Sequence, residues 1–147
     1  MGLVSRQHLD ADVDFYVLWL EDASETSNGS EPDGEVPFVS SCDGRVYIRS
    51  GGHTHTADFA VEVWDQMPQP DPGPWEDQGE AELRVPSGEV VLWTYGGSSE
   101  GEIDVGSPGR NWHVRIYVTG QQRVHELAQQ GETPKGVERY LAQFWPM

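Results

Sequence analysis

Alternation of apolar and polar residues with a period of two runs through most of this chain, and no other feature constrains its fold as strongly. The segment NWHVRIYVTG is the clearest case: Trp112, Val114, Ile116 and Val118 fall on one side, and His113, Arg115 and Tyr117 on the other. Successive side chains of a pleated strand point to opposite faces, so this pattern predicts a strand with one buried face. DADVDFYVLWL reads as one long strand with Val13, Phe15, Val17 and Trp19 on its inner side. RVYIRS and TADFAVEVW alternate as well, with Gly51-Gly52 between them, and predict an antiparallel hairpin. GEAELRV reads as a short strand and VVLWTY as a central, buried one. In ERYLAQFWP the alternation of Tyr140, Ala142 and Phe144, with the stop at Pro146, favours a closing strand over a helix. QQRVHELAQQG can form one or two helical turns.

These segments predict an all-β fold, a single-domain antiparallel β-sandwich over residues 1–147 with little helix. Its core is expected from Trp112, Val114, Ile116, Phe59, Val61, Phe15 and Val17. A chain of 147 residues is long enough for one such core. Two stretches stand apart as expected exposed loops. Residues 21–35 are acidic and rich in Ser, Gly and Pro. Residues 66–78 carry Pro68, Pro70, Pro72 and Pro74, which exclude a helix or a central strand.

Charge narrows the function classes. The formal net charge is −16, with 25 acids against 9 bases. From Gln7 to Gly44 there are ten acids and no Lys or Arg, and from Ser50 to Leu83 eight more acids and again no base. Such a field repels nucleic acid and anionic membrane and attracts cationic proteins. The expectation is therefore a basic protein partner, without direct nucleic-acid or membrane binding. No run approaches the roughly 18 apolar residues of a membrane span. The N-terminus lacks the apolar segment of a signal peptide, and the one cysteine, Cys42, permits no internal disulfide, so a cytoplasmic location is expected. MGLVSR meets the loose myristoylation pattern, which an ordinary N-terminus also does.

Two chemical readings compete with simple binding. His53 and His55, two apart, would point the same way on a regular strand and could chelate a metal, as in cupin-like enzymes, with His113 after Pro108-Gly109 as a third ligand. The spacing argues against it. Glu62, the acid such a site needs, falls on the opposite face from His55, so no metal or other cofactor is expected and the protein is read as no enzyme. The acid pairs Asp12/Asp14 and Glu100/Glu102 are what chance supplies among so many carboxylates. Alternatively, Trp64, Trp75 and Trp93 could form a platform for stacking sugars, as in a carbohydrate-binding β-sandwich.

The order of the segments DGRVYIR, TADFAVEVW, GEAELRVPSGEVVLWTY, GEIDVGSPGRNWHVRIYV and ERYLAQFWP resembles that of the competence protein J family, cytosolic inhibitors of a bacterial DNA-entry nuclease. The resemblance spans roughly residues 8–146. It implies a β-sandwich with a binding role and no catalytic residues. Physical chemistry supports the same role: a nuclease holds a polyanion in a cationic groove, and clustered carboxylates on a rigid sheet compete for it. An immunity protein that blocks a toxin would work in the same way. The expected contact set lies in the second base-free stretch: Asp65, Asp71, Glu76, Asp77, Glu80 and Glu82, with Trp75 as the apolar anchor.

Overall fold

The computed structural model describes residues 2–24, 37–42, 44–98 and 101–147. In chain order the strands are β1 (Leu3–Val13), β2 (Val17–Asp22), β3 (Val39–Cys42), β4 (Arg45–Arg49), β5 (His55–Trp64), β6 (Asp77–Val85), β7 (Glu89–Thr94), β8 (Gly97–Ser98), β9 (Ile103–Asp104), β10 (Arg110–Thr119) and β11 (Lys135–Pro146). One helix, α1 (Gln121–Gln129), separates the last two. The last segment is a strand, as its alternation predicts, and α1 is the single helix among the described residues.

The strands form two sheets in the order β1-β5-β11-β10-β6 and β3-β4-β2-β7-β8, with β9 also paired to β7. All neighbours are antiparallel except β5 and β11, which run parallel. The sheets face each other across one apolar core, in which Phe59, Val61, Trp112, Val114, Ile116, Tyr140, Ala142 and Phe144 of the first meet Leu18, Leu20, Val46, Ile48, Val90 and Leu92 of the second. Each such side chain contributes on the order of 2 kcal/mol by leaving water. At one rim the sheets come close because Gly79 of β6 lies against Val39 of β3; a Cβ built at Gly79 would stand 2.7 Å from that of Val39.

Three expectations need correction. DADVDFYVLWL is two strands, not one. β1 belongs to the first sheet and β2 to the second, and the chain passes between them through a tight turn. Val17 N–H donates to the Asp14 carbonyl at 3.4 Å, and Phe15 and Tyr16 have φ of 55° and 65°, as at the two central positions of a type I′ turn. Phe15 therefore leaves the core and is 58% exposed, and Val17 is half-buried. The reversal shifts the inward parity by one, so Leu18 and Leu20 fill the core instead. Secondly, β4 and β5 are not a hairpin; each pairs within its own sheet. Gly51-Gly52 is the crossover, and its glycines are there for close packing under α1. A Cβ on Gly51 would lie 2.6 Å from the Gln121 carbonyl oxygen, and one on Gly52 2.3 Å from Val124 Cγ1.

Thirdly, the outer face of β10 is not a solvent face. Arg115 and Tyr117 are 5% and 1% exposed, because the proline-rich segment between β5 and β6 lies over them. The Pro68 carbonyl accepts from Arg115 Nη1 at 3.4 Å, Asp71 N–H donates to the Tyr117 hydroxyl at 3.0 Å, and Trp75 stacks on Tyr117 with ring centroids 5.3 Å apart. Most of the segment's other side chains are exposed. The loop expected at 21–35 starts too early, since Glu21 and Asp22 are buried residues of β2; from residue 25 on it lies outside the described residues.

Candidate partner-binding surface

The seven residues expected to meet a partner divide by the work they already do. Asp71 Oδ1 accepts from Gly73 N–H and from Trp75 Nε1, both at 3.0 Å, so Asp71 and Trp75 fasten the proline-rich strap to Tyr117. Glu76 caps α1 from outside the helix. Its carboxylate accepts from Gln121 N–H at 2.8 Å and Gln122 N–H at 3.3 Å, a job that Gly120 at the helix start has no side chain to do. Asp65 accepts from Gly2 N–H at 2.8 Å. Asp77 opens β6, an edge strand, and Glu80 and Glu82 stand on its outer face, all three exposed. Glu80 is 3.8 Å from the buried Arg115 guanidinium.

The structure does not bring the three histidines together. His113 stacks on Trp145 at 5.2 Å, level with the far end of β5, since Val114 pairs with Phe144 and Phe144 with Val63. His55 opens β5 at the other end. His53 sits in the turn before it, exposed, with its ring 3.6 Å from Asp14. His53 and His55 do not share a face, because the first is not in the strand. The tryptophans form no common platform either. Trp64 lies on the first sheet, where its Nε1 donates to Glu62 at 3.1 Å, Trp93 lies on the second beside Trp19, and Trp75 is half-buried on the strap.

His55 belongs to a buried polar cluster that no sequence pattern announced. Glu138 of β11 is fully buried and accepts from Ser50 Oγ at 2.8 and 3.0 Å, from Gly51 N–H at 2.8 Å and from the Tyr140 hydroxyl at 2.6 Å. Ser50 Oγ also lies 2.8 Å from His55 Nε2 and accepts from Gly52 N–H at 3.2 Å. A hydroxyl has one proton. If Ser50 gives it to Glu138, Nε2 is the protonated nitrogen of His55. The acid thus bonds the serine rather than orienting the histidine, which is not the arrangement of a nucleophilic triad. Burial pushes the His55 imidazole below its ordinary 6.5, against the opposing pull of Glu138. Burial and the adjacent carboxylate push the Tyr140 phenol well above its usual range.

Beside this cluster lies an exposed group of rings. Phe15 contacts His53 at 4.8 Å and Tyr95 at 5.7 Å, Tyr16 contacts His53 at 5.2 Å, and Tyr95 reaches Trp19 at 5.4 Å. A groove of about 640 Å³ crosses the sheet from β1 over β5 to β11, lined among others by Asp10, Asp12, Thr56, Ser98 and Lys135.

The fold class so defined is a two-sheet β-sandwich with a strapped outer face and an aromatic, acid-flanked end. It is also the fold of ComJ from Bacillus subtilis, described as the inhibitor of the DNA degrading activity of NucA. The two share 9% sequence identity and a TM-score of 0.64, over 100% of this chain and 99% of that one. A second solved structure, described as crocagin biosynthetic gene J, shares 12% identity and a TM-score of 0.59 over 97% of this chain and 99% of its own. At these identities the likeness is one of fold, and the fold is the one that the competence protein J resemblance implies. No protein-family model matches the sequence, and no curated protein does.

Proposed function

We propose that this protein is a non-catalytic inhibitor that blocks a basic partner, a nuclease or a toxin of similar charge. The observation that carries this reading is the end-to-end likeness to ComJ, an inhibitor of a DNA-degrading activity. The net charge of −16 fits a target built to hold a polyanion. Within the stretch from Asp65 to Glu82, we infer a division of labour. Asp77, Glu80 and Glu82 on the open edge supply attraction at a distance, while Asp71, Trp75 and Glu76 hold the strap and the helix that present them.

The test is DNA hydrolysis by two purified nucleases, NucA and a secreted basic nuclease of the source organism, each with and without this protein in equimolar amount. Inhibition of at least one is expected. Replacing Asp77, Glu80 and Glu82 together by Lys should slow association at low salt and flatten its salt dependence. Full activity of both nucleases in the presence of excess protein would overturn the reading.

A further inference from the structure

The aromatic end of the sandwich has features that its own fold does not need. Single exposed rings are ordinary, but here Phe15, Tyr16 and Tyr95 are 58%, 46% and 44% exposed and form one patch, Tyr16 meeting Phe15 through His53 and Tyr95 meeting Phe15 directly. Patches of this kind on a water-facing surface mark interaction sites. The turn that presents them is also an expensive choice. Bulky residues at φ of 55° and 65° sit where Asn-Gly would fit without strain. The turn is nonetheless held firmly. Tyr16 accepts from Ser50 N–H at 2.7 Å and donates to the His53 carbonyl at 3.5 Å, so little freedom is left for a partner to remove.

The charges around the patch indicate what it would bind. Asp14 uses Oδ1 for Phe15 N–H and Thr54 Oγ1, and Asp12 uses Oδ1 for Thr56 Oγ1. Among the described residues neither Oδ2 accepts a hydrogen bond. Exposed rings next to carboxylates with unused lone pairs suit a planar guanidinium, which can stack on one and bond the other, better than a compact ammonium. The protein already shows this pairing one ring away. The Arg45 guanidinium lies 5.0 Å over the Trp19 ring, and Trp19 touches Tyr95. The groove lined by Asp10, Asp12 and Ser98, which Lys135 enters from β11, has room for the chain on either side of such an arginine.

We propose that Phe15, Tyr16, His53 and Tyr95, with Asp12 and Asp14, form the docking surface for an arginine-bearing loop of the basic partner. This inference rests on the inhibitor reading above and supplies the desolvated anchor that Trp75, engaged in the strap, does not.

The probe is a tetra-arginine peptide amide titrated into the isotope-labelled full chain and followed by backbone amide shifts. The largest shifts are expected at residues 12–16, 53 and 95–98, with tetra-lysine binding about threefold more weakly or worse. Two variants separate binding from folding. Phe15→Asn with Tyr16→Gly supplies residues that tolerate the turn, so Tm should hold or rise while peptide affinity falls about fivefold or more. Tyr95→Ala lies outside the strained turn and should weaken the peptide as well. Shifts centred on β6, or unchanged affinity in both variants, would overturn the proposal. The nuclease assay keeps the two readings apart. Inhibition that survives in both variants sinks this surface and leaves the inhibitor. Peptide binding at the patch without inhibition of either nuclease sinks the inhibitor and leaves the surface.

Discussion

Replacing Glu138 by Ala removes the acceptor on which three donors converge, two of them buried and the Gly51 N–H half-buried. Ser50 Oγ, Gly51 N–H and the Tyr140 hydroxyl all lie between 2.6 and 3.0 Å from its oxygens, and Glu138 itself has no exposed surface. A buried donor left without a partner costs about 1–3 kcal/mol. Two of the three are hydroxyls that can rotate, and Ser50 can turn toward His55 if the imidazole changes tautomer, so the full sum is not expected. Removing the carboxylate also ends the penalty of burying its charge. Taking the backbone N–H at about 2 kcal/mol and each hydroxyl at about 1 kcal/mol gives a loss of about 4 kcal/mol. That is a large part of the roughly 5–15 kcal/mol that holds a domain folded. In urea, with a slope of about 2 kcal/mol per molar, the midpoint should fall by about 2 M at unchanged slope. Glu138→Gln keeps one acceptor oxygen but turns an NH2 group toward donors, and should lose about half as much. In the Ser50→Ala/Glu138→Ala double variant the two losses should not add, because Ser50→Ala removes one of the stranded donors. A midpoint shift below about 0.5 M for Glu138→Ala would refute the assignment of this cluster as a stabilising junction.

Two further outcomes follow from the same geometry. Because the folded state holds His55 below its unfolded 6.5, its stabilisation is complete above that value and is lost as pH falls below it. The urea midpoint should therefore drop between about pH 7 and about pH 5.5, less steeply in His55→Gln, and equal slopes in the two proteins would refute this. Glu76→Ala should cost about 1 kcal/mol and speed amide exchange at Val124 and its neighbours in α1, since it removes the acceptor for Gln121 and Gln122; unchanged exchange would show that the helix start needs no cap.

The faces of the strands were legible in the sequence, and their partners were not. Trp112, Val114 and Ile116, or Tyr140, Ala142 and Phe144, alternate because one side of the strand must leave water, and alternation reports this directly. It does not report which sheet the other side belongs to. β4 and β5 both alternate, so they read as a hairpin although they lie in different sheets. Gly51-Gly52 looks like a turn in sequence, yet its glycines answer to the approach of Gln121 and Val124 about seventy residues later. Phe15 reads as an inward residue for a similar reason. A type I′ turn is normally marked by Asn-Gly, and Phe-Tyr carries no such mark. The stretch from Asp65 to Glu82 is recognisable in the sequence as acidic and base-free, but charge composition cannot separate Glu76, bonded to a helix start, from Glu82, which faces water. Glu138 sits in ERYLAQFWP like any surface acid, and its partner Ser50 is 88 positions away.

Ser50 links the two unusual features of this molecule. Its hydroxyl bonds the buried Glu138, and its backbone N–H bonds the Tyr16 carbonyl in the strained turn. One residue thus joins a desolvated carboxylate, expensive to bury, to a pair of aromatic residues, expensive to hold at positive φ. Strain of this kind persists only where its surroundings over-determine it, and the cluster of Ser50, His55, Glu138 and Tyr140 is in the right place to do so. Neither the buried carboxylate nor the strained turn belongs to the apolar core between the sheets. Their meeting at a single end, directly beneath the exposed rings, is what a rigid docking surface requires. A ring that must be desolvated in a complex contributes most when its backbone is already fixed, because nothing further has to be ordered when the partner arrives.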